Sequence, residues 1–289
     1  MIYPDGQSFL TAPMKRVMLF GMSGLGKTTL SNMLRDAGDW FHYSVDYRIG
    51  TRYMGEYISD NFKREAMKVP LLRELLMSDS VYITSNITFD NLAPLSTYLG
   101  KPGDATKGGL PLAEYQRRQA QHARAEVAAM LDTTRFIDRA KDLYGYNHFV
   151  CDTSGSICEV VNGDDPKDAV MAEVSAHLLP VWIKGSDAHR DELCRRFDRA
   201  PKPMYYRPEF LLQVWDEYLA QSGLSPETAD PDAFLRFGYA RLLESRQPRY
   251  EAMARWGVTV TAAEVAEATS PAAFDTLIAR ALDRRSTQA

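Results

Sequence analysis

A glycine-rich stretch near the start of the chain contains the residues with the clearest chemistry. Gly21-Met-Ser-Gly-Leu-Gly-Lys-Thr28 fits the pattern G-x-x-x-x-G-K-[ST], in which backbone N–H groups surround phosphate oxygens. Glycines allow this because no Cβ stands between the amides and the phosphate. We expect Lys27 to neutralise the β and γ phosphates and the Thr28 hydroxyl to ligate Mg²⁺. The residues predicted to bind the phosphates are Ser23, Gly24, Leu25, Gly26, Lys27, Thr28 and Thr29.

A magnesium ion at Thr28 needs an acidic partner at the end of a neighbouring strand. His148-Phe-Val-Cys-Asp152 is an apolar run that ends in an acid, and Thr153-Ser-Gly-Ser156 continues it as a small polar turn. We therefore assign Asp152 to the metal shell, through water, and expect Gly155 of the turn to lie close to a bound substrate. Asp152 is also a candidate N-cap of a following helix, and the two roles are compatible.

A second acid follows another predicted strand, Phe41 to Val45, which comes soon after the glycine-rich loop. It is Asp46, in the run Ser44-Val-Asp46-Tyr-Arg-Ile49. A carboxylate at the end of that strand can orient or deprotonate an acceptor hydroxyl for in-line phosphoryl transfer, so Asp46 is the candidate catalytic acid beside Lys27. The alternative for Asp46 is a helix N-cap. Arg48 is a candidate contact for an anionic acceptor. The chain has no N-K-x-D sequence for reading guanine, which favours ATP over GTP.

A third cluster is basic and lies between Arg190 and Arg207, a segment that contains six basic and three acidic residues. Such a segment can close over a nucleotide and stabilise the phosphoryl group in transfer. The candidate lid residues are Arg195, Arg196 and Arg199. A solvated helix face with i,i+4 ion pairs explains the same charges.

The elements that must position these residues alternate along the chain. Arg16-Val-Met-Leu-Phe20 is typical of a buried strand, and the helical pattern from Thr28 to Ala37 follows the glycine-rich loop. Further strand candidates are Tyr82–Thr84, His148–Cys151, Pro180–Ile183 and Val258–Val260. Helical patterns separate them, as in Leu112 to Met130. This alternation predicts an α/β fold with a parallel sheet.

Length and composition fit one domain with additions. The 289 residues are 45% hydrophobic and 25% charged, which is typical of a globular chain. We expect a single domain over residues 1–289 with helical insertions at 99–146, on the acceptor side, and at 204–237, at or after the lid. Residues 1–13 are expected to form a loose leader, and Met14 is a candidate start of the chain.

Charge and cysteine content bear on partners and location. The net charge of −4 gives no global field for nucleic acid or an anionic membrane, so nucleic acid is not the expected partner. No apolar run approaches the roughly 18 residues of a membrane span. The N-terminus lacks a secretory signal, and the three cysteines match no disulfide or zinc pattern, so we expect a cytoplasmic protein. The sequence does not indicate an oligomeric state.

The chain resembles the shikimate kinase and gluconate kinase branch of the P-loop small-molecule kinases. Besides the glycine-rich loop, Asp46-Tyr-Arg-Ile49 is similar to the family's D-x-x-I and Arg246-Gln-Pro-Arg-Tyr250 to its R-x-P-x-Y. Val258-Thr-Val-Thr261 through Pro271 is similar to the closing strand and adenine-side loop. The resemblance implies strand order 2-3-1-4-5 with helices on both faces, ATP and Mg²⁺ as cofactors, an acceptor anion on Arg246, and Pro271 on the adenine side.

The departures from the family concern the acceptor. Ser44 stands where shikimate kinases have a further acid, and Asp152-Thr-Ser-Gly155 replaces their glycine triplet. Asp46 and Asp152 are also separated by more chain than in compact shikimate kinases. We therefore expect an ATP-dependent kinase that phosphorylates a hydroxyl of a small, anionic metabolite larger than shikimate. The alternatives are a regulatory ATPase or switch acting on a partner protein, and a kinase of nucleoside or polynucleotide 5′-hydroxyls.

Overall fold

The computed structural model describes residues 2–287. The chain divides into two compact units. The first, here called the sheet unit, contains the described residues up to Val45, Val127–Ala200 and the described residues from Gly238 onward. The second, the helical unit, contains Asp46–Glu126 and Pro201–Phe237. The sequence predicted one domain with insertions at 99–146 and 204–237, whereas the helical unit already begins at Asp46.

Five strands form the sheet of the sheet unit. They are β1 (Arg16–Phe20), β2 (Trp40–Ser44), β3 (His148–Asp152), β4 (Leu179–Lys184) and β5 (Val258–Thr261). Their order is β2-β3-β1-β4-β5, and all neighbours are parallel. Four consecutive residues of β1 are buried, as expected for a parallel strand covered on both faces. The predicted α/β class and the strand order 2-3-1-4-5 are confirmed.

Fourteen α-helices occur in the described residues. In chain order they are α1 (Gly6–Leu10), α2 (Lys27–Asp36), α3 (Val45–Arg48), α4 (Gly55–Ala66), α5 (Pro70–Met77), α6 (Ala93–Leu99), α7 (Leu112–Tyr144), α8 (Ile157–Val160), α9 (Ala169–His177), α10 (Asp187–Arg199), α11 (Pro208–Ser222), α12 (Pro231–Ala254), α13 (Ala262–Glu267) and α14 (Pro271–Ser286). A π-helical turn covers Ile49–Tyr53, and a 3-10 turn covers Ala105–Lys107. None of the helices in residues 2–287 combines the length and the apolar composition that a membrane span needs.

The predicted strand at Tyr82–Thr84 is wrong. Residues 81–88 belong to neither a helix nor a strand, and Tyr82 is 86% exposed. A strand is stabilised by a hydrogen-bonded neighbour, and among the described residues of the helical unit the only strand-type pairing is the isolated bridge between Pro102 and Leu110. The local β-forming residues therefore have no ladder to join.

The predicted loose leader at residues 1–13 is also wrong. It contains α1, which begins with a capping box: the Ser8 amide donates to Asp5 Oδ1 over 2.7 Å, and the Asp5 amide donates to Ser8 Oγ. Phe9 is fully buried, and the ring of Tyr3 contacts it edge-on at 5.1 Å between ring centroids. The Tyr3 hydroxyl also donates to the backbone carbonyl of Met14 over 2.9 Å. Aromatic burial therefore fixes this segment to the sheet unit.

The Phe9→Ala substitution is expected to destabilise the protein by about 3–5 kcal/mol, because it empties a fully buried aromatic site. Urea unfolding followed by circular dichroism measures the change. Leu10→Ala is the matched control in the same helix, since Leu10 is 43% exposed. A loss for Phe9→Ala no larger than that of the control would show that the segment contributes nothing to the core.

Polar side chains of α7 tie together the helical unit. The Gln119 amide donates to Met204 O over 3.1 Å and accepts from the Tyr206 amide over 2.8 Å. Arg118 donates to Asn61 Oδ1 over 3.0 Å and to Tyr98 O. Both side chains are buried, so their hydrogen bonds compensate for the loss of water. These two residues of α7 thus connect it to α4, α6 and the segment before α11 within this unit.

Candidate active site

The glycine-rich loop predicted to bind phosphate, residues 21–28 and here called the phosphate-binding loop, joins β1 to α2 in the sheet unit. Gly24 and Gly26 have φ angles of 80° and 94°, in the region that favours glycine. Gly26 is the N-cap of α2, and no side chain of the described residues caps this helix. The first amides of α2, with the positive end of the helix dipole, therefore face whatever anion the loop binds.

Lys27 lies inside this loop and is 7% exposed. Its ammonium donates to the carbonyl oxygens of Gly21, over 2.9 Å, and Met22, over 3.0 Å. The two carbonyl dipoles hold the ammonium of Lys27 in the loop. A phosphate chain bound to the loop amides would present its anionic oxygens to this ammonium. This placement suits the predicted role of Lys27 in neutralising phosphate charge.

Asp152 ends β3, the strand between β1 and β2, and is the register partner of Leu19 on one side and Ser44 on the other. Thr28 Oγ1 donates to Asp152 Oδ2 over 2.7 Å. The other carboxylate oxygen, Oδ1, is buried and has no hydrogen-bond partner among the described residues. His42 Nε2 lies 3.7 Å from Asp152 Oδ2. The structure thus brings together the two residues that the sequence assigned to the metal.

These residues fit Mg²⁺. The hydroxyl of Thr28 and the buried, unsatisfied oxygen of Asp152 are the hard oxygen ligands that Mg²⁺ prefers, directly or through water. Residues 2–287 contain no group of three or more His, Cys, Asp or Glu side chains placed to hold a metal. Magnesium at a phosphate-binding loop does not require one, because phosphate oxygens and water complete its shell.

The turn after β3 lies directly against the phosphate-binding loop. A Cβ on Gly155 would stand 2.5 Å from Ser23 Oγ, so only glycine permits this approach without a shift. The Gly155 carbonyl accepts from Arg246 Nη1 over 3.0 Å and from the Tyr250 hydroxyl over 2.6 Å. Gly155, predicted to contact substrate, therefore adjoins Ser23, with its carbonyl turned to α12.

Arg246 is in the interior of the sheet unit, 3% exposed. Its Nε donates to Glu159 Oε1 over 2.8 Å, in an ion pair of two buried side chains. Burial disfavours the charged guanidinium, but Tyr250 and Glu159 outweigh burial and the pKa of Arg246 lies above its usual value. Binding an acceptor anion requires an accessible guanidinium, and here an internal carboxylate holds it.

An apolar cavity of about 460 Å³ borders the phosphate-binding loop. It is lined by Gly24, Leu25, Gly26, Thr29, Leu30, Met33, His189, Ala262, Val265, Ala266, Ala268 and Thr269. Its largely aliphatic walls and its position beside α2, the helix predicted to receive the phosphates, suit a nucleotide base. Pro271, predicted on the adenine side, starts α14 and is not among the lining residues, whereas Ala268 and Thr269, which precede it, are.

The basic helix α10 belongs to the sheet unit. Arg195 and Arg196 are exposed and both pair with Glu192, at 2.7 Å each, while Arg199 is in the last turn. The hydrogen bond from Arg196 lowers the pKa of Glu192. Phe197 fixes the helix by stacking on Tyr239 at 3.7 Å between ring centroids. The arginines thus form a solvated face, and their weak pairs would yield to a bound anion.

Asp46 and Arg48 lie at the start of the helical unit. Asp46 is half-buried in the first turn of α3, and the Arg48 guanidinium lies 5.6 Å from the ring centroid of Tyr53. The π-helical turn Ile49–Tyr53 follows, a conformation common at functional sites. A polar cavity of about 540 Å³ begins there. It is lined by Gly50, Thr51, Arg52, Gly55, Glu56, Ser59, Asp60, Lys63, Ile83, Thr84, Ser85 and Ile87.

Two residues of the site were given no role by the sequence analysis. Glu159, the partner of Arg246, is 87 positions away in the chain, and no local pattern signals that contact. Tyr250 is four residues after Arg246 on α12, so their shared helix face was readable from the spacing.

Comparison with known proteins adds a distant similarity to a solved structure. No family model and no curated protein matches the chain. Among solved structures it is similar to the crystal structure of shikimate kinase from Bacteroides thetaiotaomicron, with 16% identity and a TM-score of 0.35 over 95% of this chain and 97% of that one. Similarity at this level says nothing about activity, so the fold class rests on the strand order and the parallel register described above.

Proposed function

We propose that this protein is an ATP-dependent phosphotransferase that moves the γ-phosphate of ATP to a hydroxyl of a small, anionic metabolite. The observation that most supports the proposal is the 2.7 Å contact between Thr28 and Asp152 at the start of α2. It pairs the hydroxyl of a phosphate-binding loop with a carboxylate that has one unsatisfied oxygen, the combination that a magnesium-bound triphosphate uses.

In this proposal the donor side is built from the sheet unit. The loop amides and the start of α2 bind the phosphates, Lys27 neutralises the β and γ oxygens, and the apolar cavity takes the adenine. Thr28 and Asp152 would hold Mg²⁺, which supplies positive charge to the leaving phosphates. Arg195, Arg196 and Arg199 of α10 are proposed to stabilise the charge that develops on the transferring group.

The acceptor side rests on Asp46. Its carboxylate orients the acceptor hydroxyl and takes its proton as the hydroxyl oxygen forms a bond to the γ-phosphorus. The bond from that phosphorus to the β–γ bridging oxygen breaks, and ADP leaves with the electron pair. Arg48 is the proposed contact for the acceptor's anionic group. Arg246 is not assigned to the acceptor, because its guanidinium is buried against Glu159.

The proposal is tested by measuring ADP release with Mg-ATP alone and with each member of a panel of phosphorylated and carboxylated polyols. We expect at least one acceptor to stimulate turnover and to appear as a phosphomonoester by mass spectrometry.

Asp152→Asn is expected to raise the Mg²⁺ concentration for half-maximal turnover by about 10- to 100-fold, because a neutral amide binds the metal's water shell less strongly. Magnesium titration of ATP turnover at saturating ATP measures this. Asp36→Asn is the matched control, since Asp36 is an exposed acid at the end of α2. An unchanged magnesium requirement in Asp152→Asn would remove this residue from the metal site.

One observation favours a second function, a regulatory ATPase acting on a partner protein. The arginine that the resemblance gave to the acceptor anion is buried and paired, and an ATPase needs no acceptor. Turnover that no metabolite stimulates, but that a purified partner changes, would support this alternative.

A further inference from the structure

The contacts of α12 with the turn after β3 point to a role for two residues in the binding of nucleotide. We infer that Arg246 and Tyr250 are positioning residues, which hold the Gly155 carbonyl and thereby fix Ser23 of the phosphate-binding loop in place. The inference rests on the proposed function, since it concerns how the nucleotide's phosphates are bound. It places Arg246 on the donor side of the reaction.

Both donors converge on one oxygen atom. Arg246 Nη1 and the Tyr250 hydroxyl lie 3.0 Å and 2.6 Å from Gly155 O, which uses both lone pairs of that carbonyl. They are four residues apart on α12 and share one helix face. Both side chains are buried, so water does not replace either bond when it is lost.

Each donor is itself held. Glu159, in α8, accepts from Arg246 Nε over 2.8 Å, which fixes the plane of the guanidinium and leaves Nη1 directed at Gly155. Burial raises the pKa of Tyr250 well above its usual value, so the phenol keeps its proton and remains a donor. The turn is therefore attached to two elements, α8 and α12, through one carbonyl oxygen.

The turn after β3 also lies against the phosphate-binding loop. The position of a Gly155 Cβ lies 2.5 Å from Ser23 Oγ and 3.3 Å from Ser23 N, so a shift of the turn toward the loop displaces an amide predicted to bind phosphate. Gln247, the residue after Arg246, adds a second contact between α12 and the loop, from its Nε2 to Met22 Sδ at 3.2 Å. A misplacement of about 1 Å in a reacting geometry costs on the order of 10²-fold in rate.

A positioning role has a kinetic signature. An arginine that bound the acceptor would change the KM for the acceptor and leave nucleotide affinity alone. Residues that order the phosphate-binding loop change nucleotide affinity and kcat alike with every acceptor, water included.

The experiment measures the affinity of the fluorescent analogue mant-ATP with Mg²⁺, the rate of ATP hydrolysis without acceptor, and the Tm of each variant. Tyr250→Phe removes one donor and keeps the ring, and we expect roughly three- to tenfold weaker mant-ATP binding. Tyr3→Phe is the matched control, a buried tyrosine of the sheet unit whose hydroxyl donates to a different backbone carbonyl, that of Met14. Arg246→Lys should lose more affinity than Tyr250→Phe, since lysine cannot serve Gly155 and Glu159 in the same fork geometry.

A second pair of variants tests the contact itself. Gly155→Ala places a methyl group against Ser23 Oγ and should weaken mant-ATP binding, whereas Ser23→Ala combined with Gly155→Ala should recover part of the loss. The same affinity for wild type and Tyr250→Phe, or a fall in Tm with affinity and rate unchanged, overturns the inference alone. A wild-type chain that binds no mant-ATP overturns the proposed function and the inference with it.

Discussion

Lys27→Met is expected to lower the rate of ATP turnover by about 10²- to 10³-fold, the size of effect seen when one positioned donor to a developing charge is removed. The substitution removes the charged ammonium, and the methionine side chain fills a similar volume. Lys27 is buried and donates to the carbonyls of Gly21 and Met22, so the substitution removes these two hydrogen bonds as well. Turnover is measured as ADP release at saturating ATP, with Tm as a check on folding.

Lys184→Met serves as the control for Lys27→Met, since Lys184 is an exposed lysine at the end of β4. We expect it to keep wild-type turnover. Lys27→Met protein that is folded and turns over ATP at the wild-type rate would show that the loop is not the site of phosphate chemistry.

Asp46→Asn is expected to reduce kcat for phosphorylation of the acceptor by about 10²- to 10⁴-fold, because an amide cannot accept the hydroxyl proton. Affinity for mant-ATP and the slow hydrolysis of ATP without acceptor should stay close to wild type, since Asp46 is not assigned to the donor side. Initial rates at varied acceptor and ATP concentrations separate these effects.

Glu65→Gln is the control for Asp46→Asn. Glu65 is an exposed acid of the same unit, paired with Lys68, so its loss should not alter the reaction. Equal loss of ATP affinity and acceptor turnover in Asp46→Asn would contradict its role as the acceptor's base.

The central strands of the fold were predictable because their signals are local. Arg16–Phe20 and His148–Asp152 are apolar runs bounded by glycine or polar residues, and the parallel order followed from the resemblance. Residues 1–13 were mispredicted because their order depends on packing of α1 against α14, far along the chain, as in the hydrogen bond from the Gly6 amide to Asp283. Tyr82–Thr84 was mispredicted for the converse reason, since β-forming residues without a neighbouring strand stay irregular.

The residues of the candidate site likewise divide into those that local sequence predicts and those that it does not. The glycine-rich loop and Asp152 were predicted from short motifs, and Thr28 Oγ1 donates a hydrogen bond to Asp152 in the structure. The partner of Arg246 was not predictable, because Glu159 is 87 positions away and a motif names a residue without naming what it contacts. Because Arg246 is buried, its guanidinium forms an internal ion pair and is not presented to an anionic ligand.

The proposed transfer of phosphate to an acceptor is tested most directly by following the γ-phosphate itself. The protein is incubated with γ-³²P-labelled ATP, Mg²⁺ and a fractionated extract of small metabolites, and the labelled products are separated by thin-layer chromatography. The account predicts an acid-stable organic phosphomonoester that forms with wild type and is absent with Asp46→Asn and Lys27→Met. Label that appears only as inorganic phosphate, at a rate that no fraction changes, would contradict it.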